Sequence, residues 1–114
     1  MTMNQRYTRS EPARSELDAW TGPTLVEFGT EWCGYCMAAQ PLIAAALAQH
    51  PPLRHLKIED GPGRPLGRSF RVKLWPTLVF IKDGHEVARV VRPRDVQVIS
   101  QALAQLAQAA QDAA

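Results

Sequence analysis

Two cysteines, Cys33 and Cys36, are separated by two residues in the 114-residue chain, which contains no others. Thiols at this spacing can close a small disulfide ring. They lie between a strand-like and a helix-like segment, and a helix starting at Cys33 would direct free backbone N–H groups and its positive dipole end at that sulfur. Such a setting favours the thiolate, the form that attacks disulfides. We therefore predict a redox-active dithiol at this position.

Other roles for a close cysteine pair fit the sequence less well. A structural zinc site takes about four ligands, and the chain offers neither another cysteine nor a pair of histidines at ligand spacing. A structural disulfide this short would constrain very little of the chain. Two ordinary thiols remain the simplest alternative. We expect no metal and no organic cofactor, since the redox-active group would be the Cys33–Cys36 disulfide itself.

The segments on either side of the cysteines predict the frame that holds them. Residues 24–28 form a compact β-prone run suited to a central, doubly covered strand, in which Glu27 is the one charged residue. After Cys36, apolar residues recur at helical spacing to about Gln49. Pro41 interrupts this pattern, and because the pattern continues beyond it, we expect a kinked helix.

The rest of the chain alternates between helix and strand. The patterns predict helices over 10–20, 65–70 and from 95 onward, and strands over 53–59, 77–81 and 86–91. The Asp83-Gly84 step is a hairpin signal, so the last two strands should be antiparallel neighbours. This order predicts an α/β fold whose mixed sheet is covered on both faces. We expect one domain over 10–109, with frayed ends over 1–9 and 110–114.

Composition excludes several classes of function. The 13 basic and 11 acidic residues give a formal net charge of +2, which is too balanced to predict a nucleic-acid or membrane surface. No apolar run approaches the about 20 residues of a membrane span, so we expect a soluble, cytoplasmic chain. His50, His55 and His85 occur singly near segment ends or a turn, and we predict that they lie at the surface.

The sequence resembles the thioredoxin family from about Leu25 to Leu106. Four separated pieces carry the resemblance: the strand 26–28 leading to Glu31-Trp32-Cys33-Gly34-Tyr35-Cys36, the kink at Pro41, the Trp75-Pro76-Thr77 step and the Lys82-Asp83-Gly84 turn. Close cysteine pairs also occur in metal sites, whereas this combination in this order is specific. The resemblance implies a thioredoxin fold, with a central mixed sheet of four or five strands and helices on both faces.

The resemblance also implies roles for the cysteines and for one proline. Cys33 matches the nucleophile that forms a mixed disulfide with a partner, and Cys36, about one helical turn on, matches the resolving thiol. Pro76 matches the cis-proline that faces the disulfide, where the backbone of residue 75 pairs with a substrate segment. Protein disulfide substrates, an upstream reductase and a monomeric state are implied as well.

Glu27 matches a buried carboxylate behind the resolving cysteine, to which the family assigns a proton relay. Burial disfavours the charged form of a carboxylate and raises its pKa, which would suit proton exchange near neutral pH. The alternative is a solvated charge on an edge strand. Lys57 is a candidate for the basic neighbour that the family often places nearby, with its register left open.

Six residues around the dithiol are assigned to substrate contact: Trp32, Gly34, Tyr35, Trp75, Thr77 and Arg92. Aromatic side chains beside a reactive thiol are suited to contact with partners, although they could merely pack on one another. Trp75 is bulkier than the isoleucine usual in the family, and Arg92-Pro93 falls where the family commonly has a glycine. The aromatic rim that Trp75 would form with Trp32 and Tyr35 predicts a narrower choice of partners than a general thioredoxin has.

Tyr35 and Glu27 also depart from the thioredoxin pattern. Tyr35 stands where bacterial thioredoxins usually have proline and resembles the motif of periplasmic disulfide isomerases, and Glu27 replaces the thioredoxin aspartate. Reduction potentials in the family run from about −270 to −120 mV, so the motif does not fix the direction of electron flow. The resemblance favours reduction of protein disulfides. An isomerase-like or oxidising enzyme and a non-catalytic adaptor or chaperone are the alternatives.

Overall fold

The computed structural model describes residues 6–112, so most of the predicted frayed N-terminus and residues 113–114 lie outside it. In chain order the elements are α1 (Arg14–Asp18), β1 (Pro23–Gly29), α2 (Gly34–Ala48), β2 (Arg54–Glu59), α3 (Pro65–Ser69), β3 (Thr77–Lys82), β4 (His85–Val91) and α4 (Val96–Asp112). The strands form one sheet in the order β2-β1-β3-β4. β1 pairs parallel with β2 and antiparallel with β3, and β3 pairs antiparallel with β4. The predicted mixed sheet is confirmed, with four strands.

β1 is one of the two inner strands of the sheet, and its side chains alternate between two hydrophobic cores. Leu25 is fully buried with residues of α2 and α4 on one face, whereas Val26 and Phe28 pack with α1 and α3 on the other. Glu27 shares the face of Leu25 because side chains two residues apart point the same way. The register places Glu27 beside Lys57 on β2. The prediction of a doubly covered strand is therefore confirmed.

Helix α2 begins directly after Cys33 and continues through Pro41, as the apolar pattern predicts. Proline removes one backbone hydrogen bond from the helix interior, and burial of the residues beyond it compensates. Ile43, Ala46 and Leu47 are buried in the core that α2 shares with α4. The helix therefore holds its first turn, which carries the cysteines, in a fixed position over the end of β1.

The N-terminal segment departs from the predicted frayed end at Tyr7 and Thr8. The Tyr7 side chain is only 5% exposed. The Thr8 backbone donates to the Lys57 carbonyl at 2.8 Å and accepts from the Glu59 N–H at 2.8 Å, which makes a single parallel bridge beside β2 rather than a fifth strand. Burial of an aromatic ring and pairing with a free strand edge outweigh the entropy of these residues. The prediction is wrong for Tyr7 and Thr8.

Both terminal helices also differ from their predicted bounds. α1 begins at Arg14 instead of near Ser10, because the Glu16 carboxylate caps the Ala13 N–H at 3.2 Å. Glu11, predicted inside the helix, instead accepts the backbone N–H of Leu66 at 3.0 Å and supports the start of α3. At the other end, α4 continues to Asp112, past the predicted boundary at 109.

The β3–β4 hairpin turn is confirmed at Asp83 and Gly84. Both residues have positive φ, 50° and 80°, as the favoured two-residue hairpin turn requires. An Asp83 carboxylate oxygen accepts the Gly22 N–H at 2.7 Å, which ties the turn to the start of β1. A Cβ on Gly84 would lie 2.1 Å from the Asp18 carbonyl oxygen, so glycine is also required by the close approach of α1.

We predict that Gly84→Ala lowers the free energy of unfolding by about 2–4 kcal/mol, from backbone strain and from the clash with backbone atoms of Asp18. Gly22→Ala is the matched control, because Gly22 has φ +84° but nothing within 4 Å of an added Cβ. The free energy of unfolding of that variant should fall by only about 1 kcal/mol, from backbone strain alone. Urea unfolding measures both values. Equal losses would show that the contact with α1 is unimportant.

Candidate active site

The two cysteines occupy the N-terminal turn of α2 in different environments. Cys33 is the N-cap residue, and its sulfur accepts the backbone N–H of Cys36 at 3.2 Å. Both side chains are free thiols in this structure. Cys33 remains 8% exposed, whereas Cys36 is completely buried. A partner disulfide can therefore reach the first sulfur and not the second.

Burial controls the ionisation of Cys36. Burial and the hydrogen bond with Cys33 raise the pKa of the Cys36 thiol to about 12. A thiol is a poor nucleophile until it loses its proton. Cys36 is therefore protonated at neutral pH and needs a proton acceptor before it can attack a disulfide.

Pro76 lies at the start of β3, opposite the cysteines. The Trp75–Pro76 peptide bond is cis, as predicted. The Cys33 thiol lies 3.9 Å from the Trp75 carbonyl oxygen, within the range of a hydrogen bond to sulfur. The backbone of residue 75 is thus beside the accessible sulfur, where an extended segment of a partner would have to lie.

Behind the cysteines, the Glu27 carboxylate is fully buried and accepts three hydrogen bonds. The Tyr7 hydroxyl donates to Oε2, which also accepts from Gln40 Nε2 at 2.9 Å. His55 Nε2 lies 3.1 Å from Oε1, and the His55 side chain is only 6% exposed. The solvated alternative for Glu27 and the surface position predicted for His55 are both wrong.

The pKa of Glu27 also differs from the expectation. Burial raises the pKa of this carboxyl, but the hydrogen bonds from His55, Tyr7 and Gln40, in that order, outweigh burial and bring it below the usual value. Hydrogen bonds to a carboxylate favour its charged form. Glu27 is therefore ionised at neutral pH, instead of being held partly protonated as the sequence predicts.

Lys57 reaches this carboxylate through an intermediate. Its ammonium donates to Gln40 Oε1 at 2.8 Å, while the Gln40 amide nitrogen donates to Glu27. The same ammonium lies 4.7 Å from the centre of the Tyr7 ring, in a cation–π contact. Lys57 is thus a basic neighbour of the network, and its register, left open by the sequence, places it on the Glu27 face of the sheet.

Tyr7 and Gln40 are site residues that the sequence did not indicate, and His55 was predicted in the wrong place. Gln40 lies one helical turn after Cys36, so helical spacing alone could have placed it near the site. His55 lies two residues before Lys57 on β2 and shares its face. No local pattern marks Tyr7, because its position depends on pairing between the N-terminal segment and β2.

Three aromatic side chains surround the accessible sulfur. Trp32 is 78% exposed and packs edge-on against Trp75, with ring centres 5.6 Å apart. Tyr35 is 60% exposed, and the Arg92 guanidinium lies 3.9 Å from the centre of its ring. These side chains therefore do pack on one another, yet Trp32 and Tyr35 still present most of their surface to solvent.

Trp75 is fixed by hydrogen bonds at both its side chain and its backbone. Its indole N–H donates to Asp60 at 2.9 Å, and its carbonyl oxygen accepts Arg92 Nε at 2.8 Å. Gly34 is exposed, with nothing within 4 Å of an added Cβ. The Thr77 side chain, by contrast, is buried and donates to the Leu74 carbonyl at 2.6 Å, so it does not reach the rim assigned to substrate contact.

A groove of about 650 Å³ runs along the Tyr35 and Arg92 side of the site. Leu74 and Val91, which line it, are exposed hydrophobic residues. On the other side of Trp75, a cavity of about 450 Å³ carries arginine and lysine side chains on its walls. A groove with exposed hydrophobic side chains on the side of Tyr35 is suited to hold an extended partner segment.

Between residues 6 and 112, no three His, Cys, Asp or Glu side chains come together as a metal site would require. No helix in the same range combines the length and the apolar character needed to cross a membrane.

A reduced dithiol at a helix N-terminus, facing a cis-proline on a four-stranded mixed sheet, defines a thioredoxin-fold dithiol site. The family model "Thioredoxin" matches residues 7–105. Thioredoxins of Chlamydia pneumoniae and Chlamydia muridarum are 35% and 41% identical over 70% and 66% of this chain, and over 78% and 74% of their own lengths. The reduced form of thioredoxin 2 from Pseudomonas aeruginosa is 58% identical, with a TM-score of 0.83 over 92% of this chain and 98% of that one.

This chain therefore belongs to the thioredoxin family and is a thiol–disulfide oxidoreductase. The enzymes of this family act through a pair of cysteines, and Cys33 and Cys36 form the corresponding pair here.

We predict that Glu27 stabilises the fold at neutral pH and that this contribution is lost in acid. Because the pKa of Glu27 in the folded chain is lowered, its stabilisation is complete above the unfolded pKa of about 4.3 and falls as pH drops through the folded value. Glu27→Gln replaces the carboxylate with an amide and should cost about 1–3 kcal/mol at pH 7.

Urea unfolding of the wild type and of Glu27→Gln between pH 7 and pH 3 measures this difference. The difference should shrink toward low pH. The groups that face the carboxylate are His55 and Lys57 from β2, Gln40 from α2 and Tyr7 from the N-terminal segment. Repeating the comparison in a Lys57→Met background, with and without Glu27→Gln, separates the effect of the nearby cation. A difference that grows in favour of the wild type as pH falls would show that the pKa is raised instead.

Proposed function

We propose that this protein reduces disulfide bonds in other proteins, with Cys33 as the attacking thiol and Cys36 as the resolving thiol. The observation that carries the proposal is the asymmetry between the two sulfurs. The Cys33 side chain keeps 8% exposure and its sulfur accepts a helix N-terminal N–H, whereas Cys36 is fully buried with a pKa raised to about 12. Only one order of reaction suits this arrangement.

The reaction has two thiol–disulfide exchanges. The Cys33 thiolate attacks one sulfur of the partner disulfide, which forms a mixed disulfide and releases the other partner sulfur as a thiolate. Cys36, after losing its proton, attacks the Cys33 sulfur and releases the second partner sulfur. Two electrons pass to the partner and leave a Cys33–Cys36 disulfide, which an upstream reductase must return to the dithiol. No metal or organic cofactor takes part in these steps.

The substrate segment is proposed to lie across the Trp75–Pro76 step. The Trp75 backbone is beside the Cys33 sulfur, and the exposed faces of Trp32 and Tyr35 flank it. Arg92 supports this rim from behind by contacting both the Tyr35 ring and the Trp75 carbonyl. A bulky aromatic rim with fixed positions would favour partners whose cysteine is followed by small or flat side chains.

We further propose that the enzyme is a monomer made of a single domain and that it works in the cytoplasm. The family match over residues 7–105 supports one domain, extended at its start to Tyr7. A disulfide reductase requires surroundings that keep its dithiol reduced, and the cytosol provides them.

We predict that Cys33→Ser abolishes the acceleration that this protein gives to the reduction of insulin disulfides by dithiothreitol, because the accessible nucleophile is lost. Cys36→Ala should still attack and should hold partners as mixed disulfides, because the resolving thiol is missing. Turbidity of the reduced insulin chains follows the first variant, and non-reducing electrophoresis with mass spectrometry follows the second. Ser69→Ala, which changes a side chain on α3, is the control for handling and folding.

The outcomes separate the alternatives. A wild type without activity, whose partners bind equally well after Cys33→Ser, would favour the adaptor. Equilibration with glutathione gives the reduction potential, and a value near about −270 mV fits a reductant, whereas one near about −120 mV fits an oxidant.

A further inference from the structure

Tyr7 lies between the resolving cysteine and the buried carboxylate. Its hydroxyl donates to Glu27 Oε2. A Cβ built on Gly29 would lie 2.6 Å from the Cys36 sulfur and 2.8 Å from the Tyr7 hydroxyl oxygen. The thiol and the hydroxyl therefore occupy the same small space, which is open only because residue 29 lacks a side chain.

The carboxylate and the thiol have no direct contact. The hydrogen-bond partners of the Glu27 carboxylate in the described part of the chain are Tyr7, Gln40 and His55. Gln40 touches Cys36 only through the backbone, since its amide donates to the Cys36 carbonyl at 2.8 Å. Tyr7 is thus the side chain that faces both the Cys36 sulfur and the Glu27 carboxylate, and it is buried with both cysteines in one cluster.

We propose that the Tyr7 hydroxyl transfers the proton of the Cys36 thiol to Glu27 while Cys36 attacks the mixed disulfide. The proposal deepens the proposed function and rests on it. The hydroxyl oxygen takes the thiol proton as its own proton passes to Glu27, so the tyrosine is protonated before and after. A sulfur–sulfur bond forms between Cys36 and Cys33, and the Cys33–partner bond breaks to release the partner thiolate. Glu27 then loses the proton to solvent.

The electrostatics of the site suit a hydroxyl that passes protons on. Burial and the charge of Glu27 raise the pKa of Tyr7 far above its usual value, so the hydroxyl stays protonated at neutral pH. Glu27, whose pKa is lowered, is ionised and can accept. Transfer from thiol to carboxylate is uphill, and attack on the disulfide removes the thiolate as it forms.

The mixed disulfide itself makes Cys36 easier to ionise. The hydrogen bond with Cys33 is the second largest cause of the raised Cys36 pKa, after burial. That bond is lost once the Cys33 sulfur is joined to a partner. The position of the Tyr7 hydroxyl does not depend on Cys33, since the hydroxyl is held by its hydrogen bond to Glu27. The hydroxyl therefore remains beside Cys36 in the intermediate that must be resolved.

Tyr7→Phe tests the proposal because it removes the hydroxyl and keeps the ring that packs under Lys57. A peptide disulfide is mixed with the reduced protein, the reaction is stopped with acid, and the mixed disulfide is measured by mass spectrometry. We expect resolution at pH 7 to slow at least about 100-fold, the lower end of a general acid–base contribution, with attack by Cys33 unchanged. The mixed disulfide should accumulate, and the defect should shrink toward high pH as solvent deprotonates Cys36 directly.

Two further variants make the test specific. Ser69→Ala removes another hydroxyl hydrogen bond, to the Leu66 carbonyl at 2.6 Å, on α3, and should change neither step. Glu27→Gln should slow resolution as Tyr7→Phe does, and the double variant should be no slower than the slower single variant, because both residues act on one proton.

Three results would overturn the proposal. Resolution in Tyr7→Phe at the wild-type rate would show that the hydroxyl is not used, and equal slowing of attack and resolution would show a structural defect. Multiplicative effects in the double variant would show that Tyr7 and Glu27 act separately. A wild type that forms no mixed disulfide contradicts the proposed function, whereas the results above contradict the Tyr7 role alone.

Discussion

The buried carboxylate of Glu27 is the constraint on which the site depends. A charge with no exposure to water must be matched by donors, because the cost of leaving it unpaired is several kcal/mol (about 3–5). The donors come from three separate parts of the chain: Tyr7 from the N-terminal segment, Gln40 from α2 and His55 from β2. Satisfying one carboxylate therefore fixes the relative position of three elements around the end of β1.

The same requirement links stability to chemistry. Gln40 belongs to the helix that begins at the cysteines, so the bond that satisfies Glu27 also holds α2 over the sheet. Tyr7 fills the space over Gly29 beside the resolving thiol. Two of the residues whose hydrogen bonds lower the Glu27 pKa, Tyr7 and Gln40, thus also lie beside Cys36.

The sequence predicted the parts of the fold that follow from local pattern. The strand 24–28, the helix after Cys36 and the Asp83-Gly84 turn each depend on residues within one segment, and each is confirmed. Tyr7 and His55 were predicted wrongly because their burial depends on which strands pair and in what register. The pKa of Glu27 was predicted in the wrong direction for the same reason, since burial can be inferred from one strand whereas donors cannot.

The charge state of Glu27 tests this account most directly. The side-chain carboxyl of Glu27 in the reduced protein can be followed by carbon-13 NMR between pH 8 and pH 3, with Glu27→Gln identifying its signal. The account predicts a midpoint below the ordinary glutamate value of about 4.3. A midpoint above about pH 6 would show that burial outweighs the three donors, which would contradict the account.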